Sequence, residues 1–177
     1  TAPFSEVKNS DVIVVIGANP TENHPVAATF FKNATKQGTK LIVMDPRGHS
    51  LKKHATHMLQ FKAGTDVALL NSIMHVIVEE NLFNSEYIKQ HTLGFEKLKE
   101  HLSIFSPEKM FNTTGIKPSI IREVARLYGS TTKGIIFWGM GISQHIHGTD
   151  NARCLISLSL MTGNIGQKGT GLHPLRG

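Results

Sequence analysis

Three short clusters carry glycine, Asp, Asn or Arg, and each stands directly after an apolar run. The first is Gly17-Ala18-Asn19-Pro20-Thr21-Glu22-Asn23-His24, the second Asp45-Pro46-Arg47, the third Gly139-Met140-Gly141-Ile142-Ser143-Gln144. Glycine lets a backbone approach a phosphate or lie flat against a ring. Asn19 and Asn23 can donate or accept hydrogen bonds with a ribose or a base. An acid at the tip of a second strand commonly bonds a ribose hydroxyl, which is the role Asp45 would take. Arg47 offers a phosphate two parallel N–H bonds that lysine cannot imitate. Each cluster also has a plainer reading: Asp45-Pro46 turns the chain and leaves Arg47 solvated, and Gly139 to Gly141 is an ordinary glycine turn. Two further segments, Ala63-Gly64-Thr65-Asp66 and Leu172-His173-Pro174-Leu175-Arg176-Gly177, could close the same cleft. The first loop is not G-x-G-x-x-G, which argues against a classical NAD site.

Other reactive residue types point nowhere as specific. No pair among the ten histidines has the H-E-x-x-H spacing of a helix-borne zinc site, and no metal ligand is assigned. His145 and His147 alternate in an expected loop. Cys154 is the sole cysteine, so the chain forms no internal disulfide and no all-cysteine zinc or iron–sulfur site. Within an apolar helix it reads as an inert buried thiol. Glu79-Glu80 reads as a solvated helix end rather than an acid–base pair.

The elements that must position these loops are legible in the apolar pattern. Asp11 to Gly17 and Lys40 to Asp45 each hold a continuous apolar run, the signature of strands covered on both faces, and Gly134 to Trp138 repeats it. Between the first two, Pro25 to Gln37 carries Val26, Phe30, Phe31 and Ala34 at helical spacing, with Gly38 as its stop. His57 to Phe61 predicts a short third strand, and Gly64-Thr65 is expected to cap a helix from Asp66 to Glu80 whose inner face holds Val67, Leu70, Met74 and Ile77. Residues 84–128 read as helices covering one side of the sheet, with Ser106-Pro107 opening one and Ile120, Ile121, Val124 and Leu127 lining another. A last helix, from about Asp150 to Met161, is expected to be buried. The glycine-rich tail from Gly163 shows no periodicity. The expected fold class is α/β: a Rossmann-like, mostly parallel sheet with helices on both faces, binding its ligand beyond the carboxyl ends of the strands.

The chain's 177 residues suit one domain, and a formal charge of +6 favours a polyanionic partner. Apart from Lys52-Lys53 the basic residues are scattered singly with no aromatic interleaving, which argues against a nucleic-acid partner. No apolar run is long enough to span a bilayer, so no membrane contact is expected.

At these loops the chain resembles the catalytic subunits of formate dehydrogenases, within the molybdopterin oxidoreductases that include dimethyl sulfoxide reductase and periplasmic nitrate reductase. The collinear blocks are Val15-Ile16-Gly17-Ala18-Asn19-Pro20, His24-Pro25, Asp45-Pro46-Arg47, Leu69-Leu70-Asn71, Trp138-Gly139-Met140-Gly141 with Gln144, Leu160-Met161-Thr162-Gly163-Asn164 and His173-Pro174-Leu175-Arg176-Gly177. Relatives often carry Asp-Ser where this chain has Glu22-Asn23. The resemblance implies that residues 1–177 are a single molybdopterin guanine dinucleotide-binding domain of a larger catalytic subunit. Gly17, Asn19 and Asn23 would line the pyrophosphate and nucleoside, and Asp45, Pro46 and Arg47 the guanosine end. Gly64 and Asp66 would close the cleft, and Gly139, Met140, Gly141 and Gln144 would approach the pterin. Arg176 resembles the family's active-site arginine, which would orient formate. The implied parent is a cytoplasmic molybdenum or tungsten enzyme with a 4Fe-4S cluster outside this chain. Its implied partners are sister domains and an iron–sulfur electron-transfer subunit, and the isolated domain is expected to be inactive. A nitrate or sulfoxide reductase is the nearest alternative, and a stand-alone NAD or adenine-nucleotide module the one from another class.

Overall fold

The computed structural model describes residues 3–176. Its centre is a five-stranded parallel sheet of β1 (Val12–Ile16), β2 (Lys40–Met44), β3 (His57–Leu59), β4 (Gly134–Trp138) and β5 (Gly171–Pro174), ordered β3-β2-β1-β4-β5. Every pairing is parallel, so the expected mostly parallel sheet is wholly parallel among the described residues. β1 lies between β2 and β4 and is buried along its whole length. Its side chains alternate between two cores, which is why the run is apolar without interruption. Val12, Val14 and Ile16 join one core and Ile13 and Val15 the other.

The first core is roofed by α3 (Asp66–Glu79), α4 (Ser85–His91), α5 (Phe95–Leu102), α6 (Pro107–Thr114), α7 (Pro118–Gly129) and α9 (Gly148–Thr162). α3 is apolar almost all round because it is wedged between the sheet and its neighbours, and contacts α5, α6, α7 and α9. The opposite face is covered by α2 (Pro25–Lys36) and by 3-10 turns at Phe4–Asn9 and Ser50–Lys53. Two one-turn helices, α1 (Pro20–Asn23) and α8 (Met140–Ser143), lie within the loops that follow β1 and β4.

Several sequence expectations are corrected. The tail is not wholly irregular, for β5 pairs with β4 in the register Ile135 to Gly171 through Trp138 to Pro174. α2 buries Ala27, Ala28, Phe31 and Ala34, whereas Val26 and Phe30 are exposed. Three alanines let that helix sit close to the sheet, and the face chosen is the one that packs closely. Thr65 is the residue before α3 but does not cap it. Its hydroxyl donates to the Lys62 carbonyl over 2.6 Å. Glu79 and Glu80 are not merely solvated: Glu79 pairs with Arg122 at 2.6 Å and Glu80 with Arg126 at 2.8 Å, tying α3 to α7. The Cys154 thiol is pushed up to about 11 by burial, which leaves it protonated and inert.

Candidate functional site

In this topology β2 and β4 flank β1 on opposite sides, so the strand order reverses at β1 and the carboxyl edge there is where a crevice forms. A cleft of about 730 Å³ lies there, and segments following all five strands line it. The loop after β1 supplies Gly17, Ala18, Asn19, Asn23 and His24, and the loop after β2 supplies Asp45, Pro46 and Arg47. Ala63, Gly64 and Asp66 come from the passage between β3 and α3, Gly139, Met140, Gly141, His145 and Ile146 from beyond β4, and Leu175 from beyond β5. A size of this order suits a ligand with more than one ring or phosphate.

Every cofactor-binding residue expected from the sequence therefore meets in one cleft except Gln144, which is exposed at the end of α8 and off the lining. Arg176 is also exposed and off the lining, one residue past Leu175. Its guanidinium carbon lies over the Trp138 ring, 5.4 Å from the centroid. Sequence spacing gave no sign of Ile146, while Leu175 lies in the segment 172–177 expected to close the cleft. His145 attracted notice only as half of an alternating pair, and its place on the lining depends on α8 turning the chain back.

The glycines also have a role within the fold. Gly17 has φ of +59°, and a Cβ there would sit 2.8 Å from the Ile142 amide nitrogen. A Cβ on Gly139 or on Gly141 would sit 2.7 Å from the Gly17 carbonyl oxygen. These residues are small because the loops after β1 and β4 interlock, and the clasp they form is the cleft floor. Gly64 differs: φ is +80° and no protein atom lies within 4 Å of its missing side chain, so within the fold it is the turn and not packing that calls for glycine.

Two carboxylates are buried in the lining, Asp45 and Asp66, each about 5% exposed. Asp45 Oδ1 accepts from the Arg47 amide over 2.8 Å, closing an Asx turn, and Oδ2 has no hydrogen-bond partner among the described residues. The Arg47 head is 80% exposed and its Nε lies 3.9 Å from Oδ1, a contact too loose to hold it. Asp66 opens α3, where the helix dipole favours a negative charge. Burial nonetheless raises its carboxyl above the ordinary range, partly offset by its own backbone amide and by His145, whose Nε2 is 3.8 Å away, and reinforced by the charge of Asp45. Asn151 bridges the other side through Nδ2, which donates to the Ile142 carbonyl over 3.0 Å and meets His145 Nε2 at 2.7 Å. His49, behind the Asp45 loop, has both ring nitrogens buried without a hydrogen-bond partner of good geometry, and burial lowers its tendency to protonate.

The first loop also carries polar groups into the lining. Asn19 Oδ1 accepts from the Thr21 hydroxyl over 2.6 Å, and Asn23 Oδ1 meets His24 Nδ1 at 2.8 Å. Together the lining offers two carboxylates, the side-chain amides of Asn19 and Asn23, the rings of His24 and His145 and the exposed guanidinium of Arg47. A cleft of about 630 Å³ at the opposite sheet edge, lined by Asp11, His57, Glu123 and Leu127 among others, has no glycine loop. Among the described residues there is no group of three or more His, Cys, Asp or Glu able to hold a metal ion, and no helix long and apolar enough to cross a membrane.

Comparison with known proteins agrees with this architecture. A family model described as molybdopterin oxidoreductase matches residues 1–176. F420-dependent formate dehydrogenase 1 subunit alpha of Methanococcus maripaludis is 43% identical over 177 residues, which is 100% of this chain and 26% of that protein. Formate dehydrogenase H of Escherichia coli is 38% identical over 174 residues, 98% of this chain and 24% of that protein. Among solved structures, acetylene hydratase from Pelobacter acetylenicus superposes with a TM-score of 0.86 at 28% identity, over 96% of this chain and 23% of that one. The chain thus spans about a quarter of the length of the relatives it matches. With its fold, its strand-edge cleft and nearly its whole length matched, the chain belongs to the molybdopterin oxidoreductase family.

Proposed function

We propose that the cleft holds one molybdopterin guanine dinucleotide, and that the parent subunit is a formate dehydrogenase that oxidises formate to carbon dioxide and passes electrons to iron–sulfur centres. The observation that carries this reading is the pairing of a glycine-clasped cleft at the β1/β4 divide with two buried carboxylates, Asp45 and Asp66. Guanine presents adjacent N–H donors on one edge, and a carboxylate that can only accept is their complement; adenine presents a donor beside a ring acceptor. Asp45 Oδ2 is available for that bond, Arg47 at the rim suits a phosphate, and Asn19 and Asn23 suit the ribose and pyrophosphate. The residues present therefore fit the group. When bound, it supplies the redox chemistry. This chain binds and orients it, while Arg176, beside the cleft, orients the formate carboxylate.

The formate assignment rests on the relatives named as formate dehydrogenases, which match 98–100% of the chain. A second reading, another activity on the same cofactor, is favoured by acetylene hydratase, whose corresponding domain has nearly the same fold. Calorimetric titration with GDP, against ADP and NAD, tests the nucleotide reading. GDP preference that weakens in Asp45→Ala supports it. Preference for NAD or ADP overturns it in favour of an adenine-nucleotide module.

A further inference from the structure

One arrangement at the edge of the cleft joins three strand-end segments around Arg176. Trp138, the chain's sole tryptophan, ends β4 and lies under the Arg176 guanidinium, 5.4 Å from centroid to Cζ. Trp138 pairs with Pro174 across the β4–β5 register, and the Leu175 amide donates to the Trp138 carbonyl over 2.7 Å. That bond extends the pairing past the strand and carries the next residue back over the ring. From the loop after β1, His24 Nε2 donates to the Arg176 carbonyl over 3.1 Å while Nδ1 faces Asn23. The backbone of Arg176 is therefore held by one loop and its head group by another.

An unrestrained arginine samples many rotamers, and a receptor that must be frozen on binding binds weakly. A cation over an aromatic ring is attracted by the ring's negative face, and that contact leaves the guanidinium edge and its N–H fork available. Among the described residues no carboxylate pairs with Arg176, so none of them occupies the fork. We infer that Trp138 and His24 are positioning residues that preorganise Arg176 beside the cleft as a receptor for a small carboxylate. This rests on the reading of Arg176 as the substrate-orienting group. Arg176 is the residue that touches the carboxylate; Trp138 and His24 act through it.

Side-chain ¹⁵N NMR on the chain itself tests the inference without cofactor or turnover. Arg47, 80% exposed, supplies a mobile internal reference. In the wild type the Arg176 Nε–H is expected to be clearly more ordered than that of Arg47. Trp138→Leu should drop it to the Arg47 level, Trp138→Phe should retain most of the order because a ring face remains, and His24→Ala should lower it in part, with backbone amide spectra reporting that the fold persists. Arg176→Gln should also shift the emission of the single tryptophan, a readout that does not require altering Trp138. Arg176 as mobile as Arg47 in the wild type, or order unaltered by Trp138→Leu, or emission unmoved by Arg176→Gln, overturns the inference. The GDP titration reports separately on the cofactor reading: an ordered Arg176 in a chain that prefers NAD leaves the positioning intact and removes the substrate assigned to it.

Discussion

The Gly141 amide donates to the Gly17 carbonyl over 3.0 Å, and a side chain on either glycine would run into the other's loop. The loops after β1 and β4 are thereby one unit at the place where the sheet divides. A ligand bound there meets a floor whose two halves cannot move apart without breaking that bond and the Gly139 amide bond to Ile16. Preorganisation of the cleft begins with this clasp.

Replacing either glycine by alanine is expected to destabilise the domain, for partly different reasons. Gly17→Ala forces an L side chain into the left-handed region and into the Ile142 amide. The backbone part costs about 1–2 kcal/mol and the overlap about 1–3 kcal/mol more. Gly141→Ala bears the overlap with Gly17 alone. Gly64→Ala is the control: it is left-handed too but has open space around its Cβ, so only the backbone part is lost. Urea midpoints should order the variants Gly17 worst and Gly64 milder. Equal losses at Gly17 and Gly64 would mean that the loops do not interlock.

Asp45 carries two duties that one pair of substitutions separates. Its Oδ1 closes the turn onto the Arg47 amide, and asparagine keeps an oxygen for that bond. Asp45→Asn should therefore retain the loop and the thermal midpoint while weakening GDP roughly ten- to hundredfold, since a charge-assisted bond becomes a neutral one with a donor in the wrong place. Asp45→Ala should lose both the turn and the ligand. Calorimetry beside thermal melting reads the two effects, and GDP affinity unchanged in Asp45→Asn removes guanosine from this end of the cleft.

How far the fold could be read from the residues depended on whether a segment's neighbours were local. β1, β2 and β4 announce themselves because a strand covered on both faces must be apolar at every position, as Val12 to Ile16 is. β5 does not: Gly171-Leu172-His173-Pro174 has no β-branched run, and it is a strand because β4 offers it an edge and because the His173 ring packs, tilted, against Phe4 and Phe137. α2 misled because Val26 and Phe30 fit helical spacing as well as Ala27, Phe31 and Ala34 do, and only the closeness of the sheet selects the alanine face. In the cleft, polar side chains at strand tips were legible because topology sends strand tips to one edge. The clasp was not, because a glycine's reason for being small lay in another loop more than a hundred residues away.

Asp66 should make the domain less stable as pH rises. Its carboxyl sits above the ordinary value of 3.8 in the folded state, chiefly through burial. The folded state then holds the proton more tightly than the unfolded one, so its contribution is most favourable below 3.8 and is lost as pH climbs through the folded value. Asp66→Asn removes the charge, so it should be more stable than the wild type at pH 7, and the gap should close in acid. Urea titrations of both proteins at pH 3.5 and 7 check this. A gap that widens in acid would mean that His145 and the α3 dipole outweigh burial.

His49 offers the opposite slope from an adjoining position. Both ring nitrogens are shut away from solvent without a good partner, so the folded state favours the neutral ring. Burial is the main cause and the positive charge of Arg47 adds to it, while the negative charges of Asp45 and Glu22 offset it in part. An unfolded chain protonates this histidine near its ordinary value of 6.5 and the folded chain only at lower pH, so stability is retained above 6.5 and declines as pH falls through the folded value. Phenylalanine has a similar shape and no polar atom to strand, so His49→Phe should be neutral or slightly stabilising at pH 7.5, by no more than about 1 kcal/mol. The wild type should then lose ground to the variant between pH 7 and 5 in a thermal-melting series. The reverse trend would show that the ring gains an acidic partner on folding. Asp45 is the candidate, and in that event its Oδ2 would be engaged behind the loop rather than available to a guanine in the cleft.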